Sequence, residues 1–339
     1  MRRACLSSYS LALLALLLPA ALAAAVSSAA HAAGLRLVEI PAAGDAPAIE
    51  AAVWSPCATA PGSIPLGIVQ IGPFALPATR DCPVAGSDLP LVVISHGYGG
   101  SFLGHHDTAA ALAAAGFVVA ALNHPGDNAR ERARAGDRAV FVSRPRDIGR
   151  LVDYMLGDYA EAAKIDAARI GMFGFSRGGY TTLAVAGGRP DFLRAGLPCP
   201  DPQAPLCRQM RDPQQAVLPA LPPDARIRAA VIADPLNAFP GRDSLQDVRL
   251  PLQVWASEQG GQGVEPARVA ALQQDLPVKP DFRIVRGAAH FAFLAPCPAD
   301  LAARLPELCV DAPGFDRVAF HRDFNAAVTA FFRQHLGGG

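Results

Sequence analysis

Ile170-Gly171-Met172-Phe173-Gly174-Phe175-Ser176-Arg177-Gly178-Gly179-Tyr180 is the stretch on which the reading of this chain turns. Residues 170–175 carry no charge and are apolar or glycine, as a strand buried on both faces of a parallel sheet requires. From Arg177 to Ala186 the pattern becomes helical, so Ser176 stands at a strand-to-helix turn. The spacing around it is G-x-S-x-G, with Gly174 and Gly178 leaving the clearance that so tight a turn needs. Such a turn throws the hydroxyl out at the carboxyl edge of the sheet, near a helix amino terminus. The bland alternative is a glycine-rich turn with an incidental serine. The strand before it and the helix after it favour a nucleophile.

Working outward, the same grammar repeats. Strands are expected at 35–40, 49–54, 91–95, 117–122, 227–233, 252–256 and 282–285, and helices at 108–115, 146–156 and 320–335. Strands alternating with helices imply α/β architecture, a doubly wound and mostly parallel sheet. Residues 55–90, crowded with Pro, Gly and Ser, are expected to be an irregular connection. Residues 187–224 lose all periodicity and read as an insertion after the nucleophile's helix, placed to wall a pocket.

A serine hydroxyl needs a base. His290 follows a strand in Arg286-Gly287-Ala288-Ala289-His290-Phe291, where small residues let an imidazole lean into a cleft. His96, His105, His106 and His124 precede the serine, and His321 and His335 sit on the last helix. Two acids end strands between Ser176 and His290: Asp234, followed by Pro235, and Glu258, with a longer side chain among glycines. An oxyanion would need two fixed donors, expected from the backbone amides of Arg177 and of Tyr98, in Ser95-His96-Gly97-Tyr98-Gly99-Gly100. His96 is expected to be structural, and the Arg177 side chain to lie on a solvated helix face.

The 339 residues are 51% hydrophobic, enough for a substantial core, and the net charge of zero offers no footprint for nucleic acid. Arg2 and Arg3, the apolar run 11–18 and Ala30-His31-Ala32 read as a signal peptide over residues 1–32, too short for a comfortable membrane span. Export to a periplasmic or extracellular setting is therefore expected, with no stable membrane span after cleavage. Cys57, Cys82, Cys199, Cys207, Cys297 and Cys309 remain, an even set in three neighbouring couples, read as disulfides 57–82, 199–207 and 297–309. No C-x-x-C or Cys/His cluster suggests a metal.

At this point the chain resembles the α/β-hydrolases, in the branch of the platelet-activating-factor acetylhydrolases and the predicted dienelactone-hydrolase-like proteins. The resembling pieces are Ser95-His96-Gly97-Tyr98-Gly99, His124-Pro125-Gly126-Asp127, Arg144-Pro145-Arg146-Asp147, the turn at Ser176 and Gly287-Ala288-Ala289-His290-Phe291. With no internal repeat in the sequence, one catalytic domain over 33–339 is expected, and the resemblance favours Asp234 as the acid. Dienelactone hydrolases proper use a cysteine nucleophile, and this chain has a serine there. The expected activity is hydrolysis of a small-molecule or lipid ester through an acyl-enzyme, without metal or organic cofactor. A polyester or cutinase-like hydrolase and a non-catalytic binding protein are the alternatives, and nothing in the sequence sets an oligomeric state.

Overall fold

In the computed structural model, which describes Met1 and residues 32–337 apart from 58–62, 70–71, 200, 217, 220 and 222, eleven strands follow one another. They are β1 (Ala32–Ile40), β2 (Ile49–Cys57), β3 (Ser63–Val69), β4 (Gly72–Pro77), β5 (Thr79–Arg80), β6 (Leu89–Ser95), β7 (Val118–Leu122), β8 (Ile165–Phe175), β9 (Ile227–Ala233), β10 (Leu252–Ser257) and β11 (Asp281–Val285). The architecture belongs to the unit His31–Gly339. The signal peptide expected over 1–32 falls on residues 2–31, outside the described residues.

Nine strands form one sheet in the order β11-β10-β9-β8-β6-β7-β2-β1-β5. From β11 through β7 every pairing is parallel; β2 pairs antiparallel with β7 and with β1. Continuous apolar runs make the parallel part because both of its faces are covered. Along β6, Leu91 and Val93 enter one apolar layer with helices α2 (Val140–Leu156) and α3 (Arg177–Val185). Val92 and Ile94 enter the other, with α1 (His106–Ala114) and the closing helix Arg317–Leu336. Each fully buried Val, Leu or Ile contributes roughly 1.5–3 kcal/mol.

The strand order also fixes where a site can be. β6 lies between β7 on one side and β8 on the other, so the chain leaves β6 in one direction and returns in the opposite one. Loops leaving these two carboxyl ends diverge and open a crevice. They are the loop beginning at His96 and the turn at Ser176, brought side by side by the pairing of Ser95 with Gly174.

Three elements differ most from the expectation. β8 starts at Ile165 rather than 170. α2 starts at Val140 rather than 146 and carries Pro145 within it. Proline has no N–H for the carbonyl four residues back; the Tyr180 hydroxyl donates to that Phe141 carbonyl at 3.2 Å instead. Within the segment expected to be irregular, β3 and β4 form a two-stranded antiparallel ribbon. Both of its strands are edges, where proline is tolerated.

Candidate active site

Ser176 has φ 56° and ψ −117°, a backbone conformation uncommon for any residue with a side chain. The sequence makes room for it. A Cβ at Gly178 would run into the Ser95 carbonyl, and one at Gly174 into the Gly178 carbonyl. The Ser176 amide donates to the Ala233 carbonyl at 2.9 Å, tying the turn to the end of β9.

The next residue after that carbonyl is Asp234, also at positive φ (42°). Its Oδ1 accepts from the Ser257 amide at 2.7 Å, and its Oδ2 accepts from the Ser257 hydroxyl at 2.5 Å. Oδ2 also lies 3.0 Å from His290 Nδ1. His290 Nε2 in turn lies 2.9 Å from Ser176 Oγ. Carboxylate, imidazole and hydroxyl thus form one hydrogen-bonded chain at the carboxyl edge. With Nδ1–H donating to the carboxylate, Nε2 is left as an acceptor for the serine proton. The imidazole stacks on Phe175, centroids 4.7 Å apart, and its amide is held by the Gly260 carbonyl at 2.9 Å.

Glu258, the other acid considered, is exposed and accepts from the Gly287 amide at 2.8 Å. It helps hold the turn before His290 and makes no contact with the imidazole among the described residues. His321 secures the turn's other side. Its Nε2 donates to the Ala292 carbonyl at 2.8 Å, while Nδ1 lies 2.6 Å from Asp107. Burial pushes the Asp107 carboxyl up, and His321 more than reverses this, leaving it well below its ordinary value.

Tyr98 and Arg177 flank the serine from β6 and α3. Neither backbone amide has an acceptor among the described residues. The Arg177 side chain departs from expectation: it is 5% exposed, not solvated. It donates to Asp127 Oδ2 at 2.8 Å and to the Ala135 carbonyl at 2.9 Å, with its guanidinium 4.6 Å from the Tyr98 ring centre. Asp127 Oδ2 also accepts from Arg144 at 2.6 Å, and Oδ1 accepts from the Gly99 amide at 3.0 Å. Burial raises the Asp127 pKa, but Arg144 and Arg177 outweigh it and hold the carboxyl below its ordinary value. Arg144 also donates to the His96 carbonyl. The loop carrying Tyr98 is thus held on both sides by one buried ionic cluster. The Asp127 and Arg144 motifs were visible in the sequence, but the cluster joins residues 17 and 50 apart, which no local signal connects.

His96 is a structural member of this loop. Nδ1 donates to the Gly97 carbonyl at 2.7 Å, and Nε2 accepts from the His124 amide at 3.2 Å. Burial, then Arg144, lowers its pKa to about 3, so it is neutral.

A cleft of about 1300 Å³ opens above Ser176 and His290. Leu197, Leu206 and Met210, from the segment after α3, line one wall. The structure joins Cys57 to Cys82, Cys199 to Cys207 and Cys297 to Cys309, a set suited to an oxidising setting. No described helix is long and apolar enough to cross a membrane.

Residues 66–137 match the model of the family platelet-activating factor acetylhydrolase, isoform II, and residues 104–204 match that of the prolyl oligopeptidase family. The structure is similar to that of a ferulic acid esterase from Streptomyces cinnamoneus, with a TM-score of 0.65 and 18% identity over 93% of each chain. It is also similar to a protein assigned as a dipeptidyl aminopeptidase IV from Bacteroides ovatus ATCC 8483, with a TM-score of 0.53 and 14% identity over 90% of this chain and 36% of the other. At such identities the likeness carries the fold alone. No curated protein matches the sequence. The sheet order, the strained serine turn and the two partial family matches give this chain the α/β-hydrolase fold.

Proposed function

We propose that the protein is an exported serine carboxylic-ester hydrolase, a single catalytic domain over 33–339 released from a signal peptide at 1–32. The observation that carries this reading is the unbroken chain Ser176 Oγ, His290, Asp234, with spacings of 2.9 and 3.0 Å, at the crevice between β6 and β8. His290 Nε2 takes the hydroxyl proton as Ser176 Oγ attacks the ester carbonyl. The Tyr98 and Arg177 amides receive the oxyanion, and Asp234 holds the ring in one tautomer and stabilises the imidazolium. Proton return to the alcohol leaves an acyl-enzyme, and water repeats the sequence to release the acid. Every proton is carried by the chain's own residues, so no metal or cofactor is invoked.

A fluorophosphonate probe tests the reading, because only an activated serine reacts. Wild-type protein is expected to take up one label, and Ser176→Ala none. A folded wild type that stays unlabelled overturns the enzyme reading in favour of a binding protein. The prolyl oligopeptidase match favours a second reading, cleavage of a peptide bond. Paired ester and anilide substrates with the same acyl group separate the two.

A further inference from the structure

Beside the main cleft lies a smaller cavity of about 140 Å³. Leu103, Leu294, Leu301, Leu305 and Leu308 line it, together with the Cys297–Cys309 disulfide. Gly99, Gly100, Arg132, Leu294, Leu305 and Leu308 border both spaces, so the cavity adjoins the cleft next to the loop that carries Tyr98.

Its wall is held independently of any ligand. The disulfide closes residues 297–309 into a loop. Buried Arg317 donates to both oxygens of Asp311 at 2.8 Å and to the Leu308 carbonyl at 2.9 Å. The Ala295 amide donates to the Gly104 carbonyl at 2.9 Å, fixing the other end. A wall fixed at three places makes a preformed site, so little ordering cost falls on a ligand. The lining is mostly apolar, its polar side chains being Ser101, His106 and Arg132; leucine side chains offer water no hydrogen bonds, which suits an apolar occupant. A dry cavity of about 150 Å³ lined by such residues holds benzene.

We propose that this cavity is a subsite for the apolar end group of the ester, a phenyl ring or a chain of about four to six carbons. The inference rests on the ester-hydrolase reading. Gly99 follows Tyr98, and Leu294 lies in the segment just after His290. A carbonyl held at the Tyr98 amide therefore has this cavity within reach of its acyl or its alcohol substituent.

Two substrate series distinguish the sides: p-nitrophenyl esters of lengthening acids, and acetates of lengthening alkanols. In one of them kcat/KM is expected to rise about fourfold per methylene and then level off once the cavity is full. Leu301 lines the small cavity and not the main cleft. Leu301→Trp, which fills the cavity, is expected to flatten that series while leaving the shortest ester unchanged. Leu301→Ala, which enlarges it, is expected to move the plateau to longer chains. Flat series in the wild type, or a rise that survives Leu301→Trp, overturns the subsite. Toluene binding followed by NMR reads the cavity without catalysis: saturable in the wild type, lost in Leu301→Trp. Were no ester turned over and Ser176 unlabelled, the hydrolase reading would fall, and the toluene result would still decide whether the cavity takes an apolar group.

Discussion

Ser176, His290 and Asp234 have a counterpart a few residues away in space. Ser95 Oγ lies 2.9 Å from His124 Nε2, and His124 Nδ1 lies 2.9 Å from Asp147. The two chains of hydrogen bonds match in order and, to within 0.1 Å, in length. Their surroundings do not match. Ser176 stands on a strained turn, 9% exposed, in the wall of the main cleft beside Tyr98 and Arg177. Ser95 ends β6 in regular strand geometry, wholly buried, with the Arg144 guanidinium 3.4 Å from its hydroxyl. On the proposed reading, hydrogen-bond geometry alone does not make a nucleophile; access, and donors aimed where charge develops, are the rest of it. The inner set spends its polar groups holding the floor under the Tyr98 loop.

The strongest test of that contrast exchanges the two serines' fates. Ser176→Ala should lower kcat by roughly 10⁴- to 10⁶-fold on a p-nitrophenyl ester. Ser95→Ala should stay within about tenfold and keep its fluorophosphonate label, since no reacting atom reaches it. Equal losses in both variants would erase the distinction.

Next in size are the acids. Asp234→Asn should cost up to about 10⁴-fold in turnover with the fold intact, because the amide favours the wrong imidazole tautomer. Glu258→Gln, whose carboxylate only caps the turn at Gly287, should cost little. A crippled Glu258→Gln beside a near-normal Asp234→Asn would reassign the third member.

Asp127→Asn sharpens the comparison from the inner side, because it leaves two buried guanidiniums short of their carboxylate. Unfolding in urea should show a loss of about 3–5 kcal/mol. In whatever fraction folds, kcat should fall more than KM rises, since the Tyr98 donor shifts. An unchanged urea midpoint would mean that the cluster does not hold the loop.

The last test is a pH dependence. Burial pushes the Asp147 carboxyl up to about 7, Arg144 only partly opposing it. An unfolded aspartate titrates near 4. Between those values the folded chain holds the extra proton, so this carboxyl's contribution to stability is full below about pH 4 and is lost as pH rises through 7. The stability difference between wild type and Asp147→Asn should therefore decline from about pH 5 to pH 7.5. A difference that grows with pH would give Asp147 the opposite sign.

What the sequence disclosed follows from how local each signal is. The parallel strands were legible because burial on both faces demands unbroken apolar runs, and Ser176 because its turn tolerates only small neighbours. Asp234 and Glu258 looked alike because both end a strand, and only packing shows which carboxylate faces the imidazole. Arg177 was misread because its partner, Asp127, is remote in sequence. The start of α2 was placed late because Pro145 reads as a breaker, and the Tyr180 hydroxyl that serves the Phe141 carbonyl is on another helix. The β3–β4 ribbon hid behind prolines that an interior strand would not accept.

The backbone of Ser176 has an evolutionary consequence. A side chain at φ 56° is strained by about 1–3 kcal/mol, and glycine would relieve much of that. On the proposed reading, selection for turnover and selection for stability therefore oppose one another at this residue. In a duplicated gene freed from the need to hydrolyse anything, drift at position 176 would run downhill, and loss of the serine would leave a sturdier protein behind.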